Sequence, residues 1–380
     1  MFLMISGHPR RRFLKQDFRN GLPTGLNAEC EKNSMQERYL IVKPSSLGDV
    51  IHAFPAVSLL AKHKPEAIID WVVVPAFADV VRLHPAVNQV IPFPRKELGK
   101  ITKFPSAALK FAKMLRENRY TAVIDLQGLL RSGLITSLAK TKIVVGPKEP
   151  KEKISKLFYN QKVDSGSATI HAVRRNYRLV AEFLGVDSAG KPETQFLKNE
   201  KEAQLIADLM KDLPEGPVVA IAPGARWPSK CWPVSYFAET AMLLKKQVPD
   251  CSFMILGTKD EAEMAEKLCQ SIQAPCLNLT GKTSVVGLLE AIRASNVLFC
   301  NDSGPMHIAA ALEVPVVCMF APTDPVRTGP FSEKAIVLTP KDLPCMKCFR
   351  RVCPEANCHR AIPAETAEQA IRSFLSGAAV

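Results

Sequence analysis

The sequence predicts an α/β protein of two doubly wound, Rossmann-like domains facing a central cleft. Short β-branched apolar runs alternate with segments of helical period from Tyr39 onward, the pattern of parallel strands joined by crossover helices. The alternation begins afresh after a Lys- and Glu-rich stretch around residues 187–216. The 380 residues also exceed the ~100 to 200 of one typical domain.

In the first half, YLIVKPSS reads as a strand ending in a turn, and VIHAFPAVSLLAKHK as the helix after it. IIDWVVVP, QVIPFP, TAVIDLQG and KIVVG supply further strands, with AFADVVRLH, SAALKFAKMLRENRY and RSGLITSLA as intervening helices. In the second half PVVAIAPGA, CSFMILGT, VLFCND and VPVVCMFAP are strands. SYFAETAMLLKKQ, DEAEMAEKLCQSI, LLEAIRASN and PMHIAAALE are helices. The expected domains are 37–190 and 191–362, the second containing a cysteine-rich segment at 345–358; a closing helix occupies 363–380. Residues 1–36, with Arg10, Arg11 and Arg12 and no sustained periodicity, are expected to form a poorly ordered basic leader, and Met35 offers a second start for translation.

The net charge of +13 is unevenly placed. Residues 95–119 carry eight basic against two acidic residues and 140–178 carry ten against three, whereas 200–340 hold twelve against sixteen. Basic character thus belongs to the first domain and suits an anionic surface or substrate. No run resembles a secretory signal or a membrane span, so a cytoplasmic protein with only peripheral membrane contact is expected. Without interleaved aromatics or a reader motif, nucleic acid is not the expected partner. Eleven cysteines are read as reduced thiols. Cys345, Cys348, Cys353 and Cys358, spaced C-x2-C-x4-C-x4-C, form a weak zinc candidate because the spacing is not that of paired knuckles.

Doubly wound sheets bind ligands beyond the carboxyl ends of their strands. Lys43 to His52, KPSSLGDVIH, lies at such an end, where Gly48 permits close approach and Asp49 serves equally as helix cap or catalytic base. It lacks the P-loop pattern, and neither half opens on the dinucleotide fingerprint. NDSGPMH, Asn301 to His307, joins a strand to a helix whose free amides suit phosphate; His307 faces ligand or core. Arg226 and Lys230 in PGARWPSKCWP are positioned to neutralise a diphosphate, or are ordinary surface charge. Glu261, after GTKD, suits ribose hydroxyls or simply starts a helix.

Together these segments resemble glycosyltransferase family nine, the ADP-heptose:lipopolysaccharide heptosyltransferases. KPSSLGDVIHAFPAV, YTAVIDLQGLLRSG and HAVRRN are similar to its heptosyltransferase I branch, and PGARWPSKCWP to heptosyltransferase II; DSGPMHIAAALEVPVVCMFAPTDPVRTGP is similar to the donor-side segment. The resemblance implies a GT-B fold and metal-independent, cofactor-free inverting transfer. The implied donor is ADP-L-glycero-β-D-manno-heptose, and the implied acceptor a lipid A-Kdo glycolipid at an anionic membrane. It also implies Asp49 as base, with Ser45, Ser46 and Gly48 shaping its loop. Lys230 would meet the diphosphate, Glu261 the ribose, and Asp302, Ser303, Gly304 and His307 the sugar and phosphates, with Arg226 and Thr283 at further donor positions. A non-catalytic nucleotide-binding regulator, or transfer of another sugar to another acceptor, stands as the alternative.

Overall fold

The computed structural model describes residues 36–377 apart from 341, 342, 344 and 356, so the expected leader lies outside the described residues. In the first half β1 (Arg38–Val42), β2 (Ile68–Val73), β3 (Val87–Pro92), β4 (Ala122–Asp125), β5 (Val144–Pro147) and β6 (Gln161–Val163) form one sheet in the order β3-β2-β1-β4-β5-β6. The second half repeats this topology with β7 (Val218–Ala222), β8 (Ser252–Ile255), β9 (Cys276–Asn278), β10 (Val297–Asn301), β11 (Val316–Met319) and β12 (Ala335–Leu338), ordered β12-β11-β10-β7-β8-β9. All the pairings are parallel, from Tyr39 beside Ile69 and Ala122 to Ile221 beside Ile255 and Phe299. In each half the chain starts at the centre, winds to one side and then returns to the other. The switch points therefore lie between β1 and β4 and between β7 and β10, where crevices open.

The strand composition follows from coverage on both faces. β7, VVAIA, and β10, VLFCN, are buried throughout, as expected of central parallel strands. The three strands absent from the sequence reading, β6, β9 and β12, are outermost, with three or four residues each and partly exposed. Half-solvated edges leave no continuous apolar run to detect. The Lys- and Glu-rich stretch also contains a helix, Glu200–Met210, capped where Asn199 accepts from Glu202 N at 3.0 Å.

Trp71 and Phe54 anchor the first core, and Trp232, Phe237, Phe253 and Phe299 anchor a layer of the second. The closing helix, Ala364–Leu375, contributes Ala364, Ala367, Ala370 and Ile371 to that second layer and packs on the helix Val234–Gln247. The halves meet where the helix Leu47–Ile51 packs against Gly304–Ala311. This approach needs small residues: a Cβ on Gly48 would run into the His307 ring, and one on Gly304 would come within 3.0 Å of Leu47 Cδ2.

Candidate active site

The first-half rim is built at the β1–β4 switch point. Lys43, immediately after β1, is buried and donates from Nζ to Leu126 O, just beyond β4, at 2.5 Å. Asp49 is the third residue of the helix Leu47–Ile51, and its two oxygens face different partners. Oδ2 accepts from Ser46 N at 3.1 Å and Ser46 Oγ at 3.3 Å, while Oδ1 lies 3.3 Å from Lys151 Nζ and 3.9 Å from Lys43 Nζ. Burial opposes ionisation of Asp49, but Lys43, Lys151, His52 and the Ser46 amide outweigh it and hold the carboxyl well below its usual range. Burial brings Lys43 down to about 8 despite the attraction of Asp49. A cavity of about 40 Å³ adjoins the pair, lined in part by Gln127, Lys151, Ser165 and Arg175. Gln127 Oε1, Ser165 Oγ and Arg175 Nε are buried there without a hydrogen-bond partner among the described residues. Ser45 is half-buried and Ser46 exposed.

The second-half rim is tied across its own switch point by Asn301. Its Oδ1 accepts from Trp232 N at 3.1 Å and its Nδ2 donates to Pro223 O at 2.6 Å, joining the PGARWPSK loop to the DSGPMH loop. Asp302, 5% exposed, pairs with Lys230 Nζ at 2.6 Å and accepts from Thr323 Oγ1 at 2.5 Å. Lys230 Nζ also lies 4.8 Å from the Trp227 ring centroid, and the Arg351 guanidinium 5.4 Å from the same ring. Ser303 Oγ is buried and without a partner among the described residues, beside the amides that open the helix Gly304–Ala311. Glu261 Oε2 accepts from Thr258 N at 2.6 Å and Oγ1 at 3.0 Å, and its carboxylate fills the space where Gly224 lacks a Cβ. Arg226 is exposed and Thr283 half-buried; neither makes a side-chain hydrogen bond among the described residues.

Histidines span the joint between the rims. His52 Nε2 lies 3.0 Å from His307 Nδ1, and both rings are buried. His171 accepts from Val173 N on Nδ1, so its Nε2–H donates to Gly329 O at 3.0 Å. Burial brings His307 down to about 4 and lowers His52 and His171 as well, which keeps them neutral near pH 7.

The structure thus gathers Asp49, Lys230, Asp302, Ser303, Gly304 and His307 around one joint. His307 is resolved onto the other half of the protein, in contact with His52. Sequence reasoning missed the roles of Lys43, His52, Lys151, Asn301 and Thr323. Lys43 ends an apolar run, which was a usable signal; Lys151 lies in EPKEKISK and looks like solvated charge. The zinc candidate is not assembled: among the described residues no three His, Cys, Asp or Glu side chains converge to hold a metal. The tail backbone is committed to the donor side instead, with Phe349 N donating to Pro322 O, and Ser229 Oγ to Arg350 O, while Cys345 and Cys348 remain exposed.

Two doubly wound sheets, with a carboxylate on one switch point abutting a cationic, amide-rich anion cradle on the other, define a GT-B sugar-nucleotide transferase. The model of glycosyltransferase family 9 (heptosyltransferase) matches residues 108–359. Lipopolysaccharide heptosyltransferase 1 of Pseudomonas aeruginosa is 31% identical over 322 residues, covering 83% of this chain and 87% of that one. The structure of E. coli heptosyltransferase WaaC with ADP matches at a TM-score of 0.73 and 25% identity, covering 89% of this chain and 99% of that one. A family 9 glycosyltransferase from Veillonella parvula shares the fold at a TM-score of 0.78 and 22% identity, covering 90% and 98%. The chain belongs to glycosyltransferase family 9, the heptosyltransferases.

Proposed function

We propose that this enzyme transfers heptose from ADP-L-glycero-β-D-manno-heptose to the inner core of lipopolysaccharide, onto Kdo-lipid A or a heptose already attached to it, with inversion. The observation that carries this reading is the close packing of the Asp49 helix on the helix that begins at the Asp302–Gly304 loop. That packing supports a reading in which a carboxylate of one half works beside an anion-binding loop of the other.

Asp49 Oδ1 takes the proton of the acceptor hydroxyl as the oxygen attacks the anomeric carbon, and the bond from that carbon to the diphosphate oxygen breaks. ADP leaves with the electron pair. Lys230 and the amides at Gly304 balance its charge, the lysine exchanging Asp302 for phosphate oxygens. With that balance supplied by protein groups, no metal or other cofactor is required. Glu261 and Thr283 are assigned to the nucleotide side, and the exposed Arg226 to an outer donor contact. The deep ionisation of Asp49 keeps it ready as a base at neutral pH, and proton transfer completes as the attacking hydroxyl acidifies late in the displacement.

The partnerless Ser165 Oγ and Arg175 Nε donors beside Asp49 support an acceptor carrying a carboxylate, and the partnerless Gln127 Oε1 suits one of its hydroxyls. Among the described residues no helix is long and apolar enough to cross a membrane. A peripheral site at the inner membrane face is supported by the exposed apolar side chains Ile101, Phe104, Leu109, Ile154 and Leu157, which lie among the basic stretches of the first half. Incubation of the purified enzyme with ADP-heptose and either Kdo-lipid A or Kdo-lipid A already carrying one heptose, read by mass spectrometry, should add one heptose to one of the two acceptors and release one ADP. Transfer only from a different nucleotide sugar, or none, would overturn the assignment.

A further inference from the structure

The His52–His307 contact links the helix carrying the base to the helix that follows the donor loop. At 3.0 Å between two ring nitrogens, one hydrogen lies between them, and either ring could supply it. The surroundings favour one arrangement. The Cδ2–Nε2 edge of His307 lies over Gly48, within the loop that delivers Asp49, and this nitrogen has no protein partner among the described residues. The same helix begins at the amides and Lys230 that would receive a diphosphate. A bare nitrogen there would repel phosphate oxygens, whereas an N–H attracts them. In a neutral imidazole with Nε2 protonated, Nδ1 must accept.

We propose that His52 is a positioning residue for the transfer: its Nε2–H donates to His307 Nδ1, which places the single proton of His307 on Nε2 and directs it toward the departing diphosphate. This rests on the nucleotide-diphosphate donor proposed above. His52 is itself held from two further sides. Asn176 Nδ2 donates to its carbonyl at 3.0 Å, the His171 ring packs edge-on at 5.3 Å between centroids, and the proton of His171 is already committed to Gly329 O. The charged and titratable groups facing His52 are His307, His171, Asp49 and Lys43; those facing His307 are His52, His171, Asp302, Asp49 and Lys230. The joint is therefore more than packing, since an apolar pair would close it without burying two imidazoles.

The test compares His52→Leu, which removes the donor, with His52→Gln, whose amide N–H can replace it. Histidine 15N spectra of the wild-type enzyme at neutral pH should show His307 with Nδ1 bare and Nε2 protonated, and added ADP should move the Nε2 signal. In His52→Leu the proton distributes over both nitrogens, the response to ADP shrinks and kcat falls about 10-fold or more, with a smaller change in donor KM. His52→Gln should recover at least about 5-fold of the lost kcat. A wild-type spectrum with His307 Nδ1 protonated would overturn the proposal, as would equal losses in both variants that track only the folded fraction. The spectra with ADP need no transfer, so failure to use ADP-heptose would sink the donor assignment while leaving the His52 result decisive.

Discussion

Asp49 shows how one side chain can satisfy two readings that sequence alone could not separate. Helix capping and base catalysis ask for the same location, and a carboxylate has two oxygens with which to meet both demands. Asp49→Asn keeps an oxygen for the Ser46 amide but loses the base, so transfer should fall about 10² to 10⁴-fold while ADP affinity by calorimetry is unchanged. Turnover near wild type would reassign the base. Lys43 is the strongest charge acting to keep Asp49 ionised, so Lys43→Gln should let the carboxyl rise toward its ordinary range. The acid limb of kcat/KM then moves to higher pH, and an unmoved limb would show that Lys151 suffices. Lys230→Ala should weaken ADP binding and transfer together. It also leaves Asp302 buried without its cation, at a cost of about 3 to 5 kcal/mol in unfolding experiments. The placement of Asp49 and Lys230 at strand ends was legible because glycine-containing loops there interrupt the apolar runs. His52 and Asn301 were not, because their roles depend on partners 255 and 78 residues away in the chain.

At the scale of elements, the helix Phe104–Arg116 was read correctly as amphipathic, and the structure buries its Phe111 and Leu115. Its other side is unusual for a solvated face, since Phe104 and Leu109 are exposed together with Lys103, Lys110 and Lys113, and the preceding Ile101 is 93% exposed. Replacing Lys103, Lys110, Lys113, Arg116 and Arg119 with Gln should weaken binding to anionic vesicles and raise the acceptor KM, with donor affinity unchanged. Each basic residue at such a surface contributes about 1 kcal/mol, so the loss should be plain in sedimentation and should be imitated by added salt. No change in either assay would mean that these charges only solvate the helix. The central strands were readable because both faces are covered. The edge strands were not, because solvent on one side erases the apolar run by which a buried strand announces itself.

For the whole molecule, burial of neutral histidines ties stability to pH. His84, His307 and His359 are brought down to about 4 by burial, and His52 well below its ordinary value. The unfolded chain takes up these protons at about pH 6.5, before the native state does. Their contribution is therefore complete above 6.5 and is lost as pH falls toward 4, at about 1.4 kcal/mol per pH unit for each group. Urea midpoints measured at pH 7, 6 and 5 should fall steadily; a flat series would mean that these rings are solvated. The repeated domain pattern was visible in the sequence, whereas the bracing of the second half by the tail was not, since it runs through backbone carbonyls that no residue pattern announces. That bracing bears on how the enzyme is made. Trp232 donates its indole N–H to His359 O and Ile362 O, and Ser229 bonds to Arg350 O, so the loop carrying Lys230 is secured by residues synthesised more than a hundred positions later. During synthesis the first half can therefore fold before the Lys230 loop is braced, because that loop must wait for Arg350, His359 and Ile362 to emerge from the ribosome. A ribosome halted short of these residues would leave the loop without its fastenings.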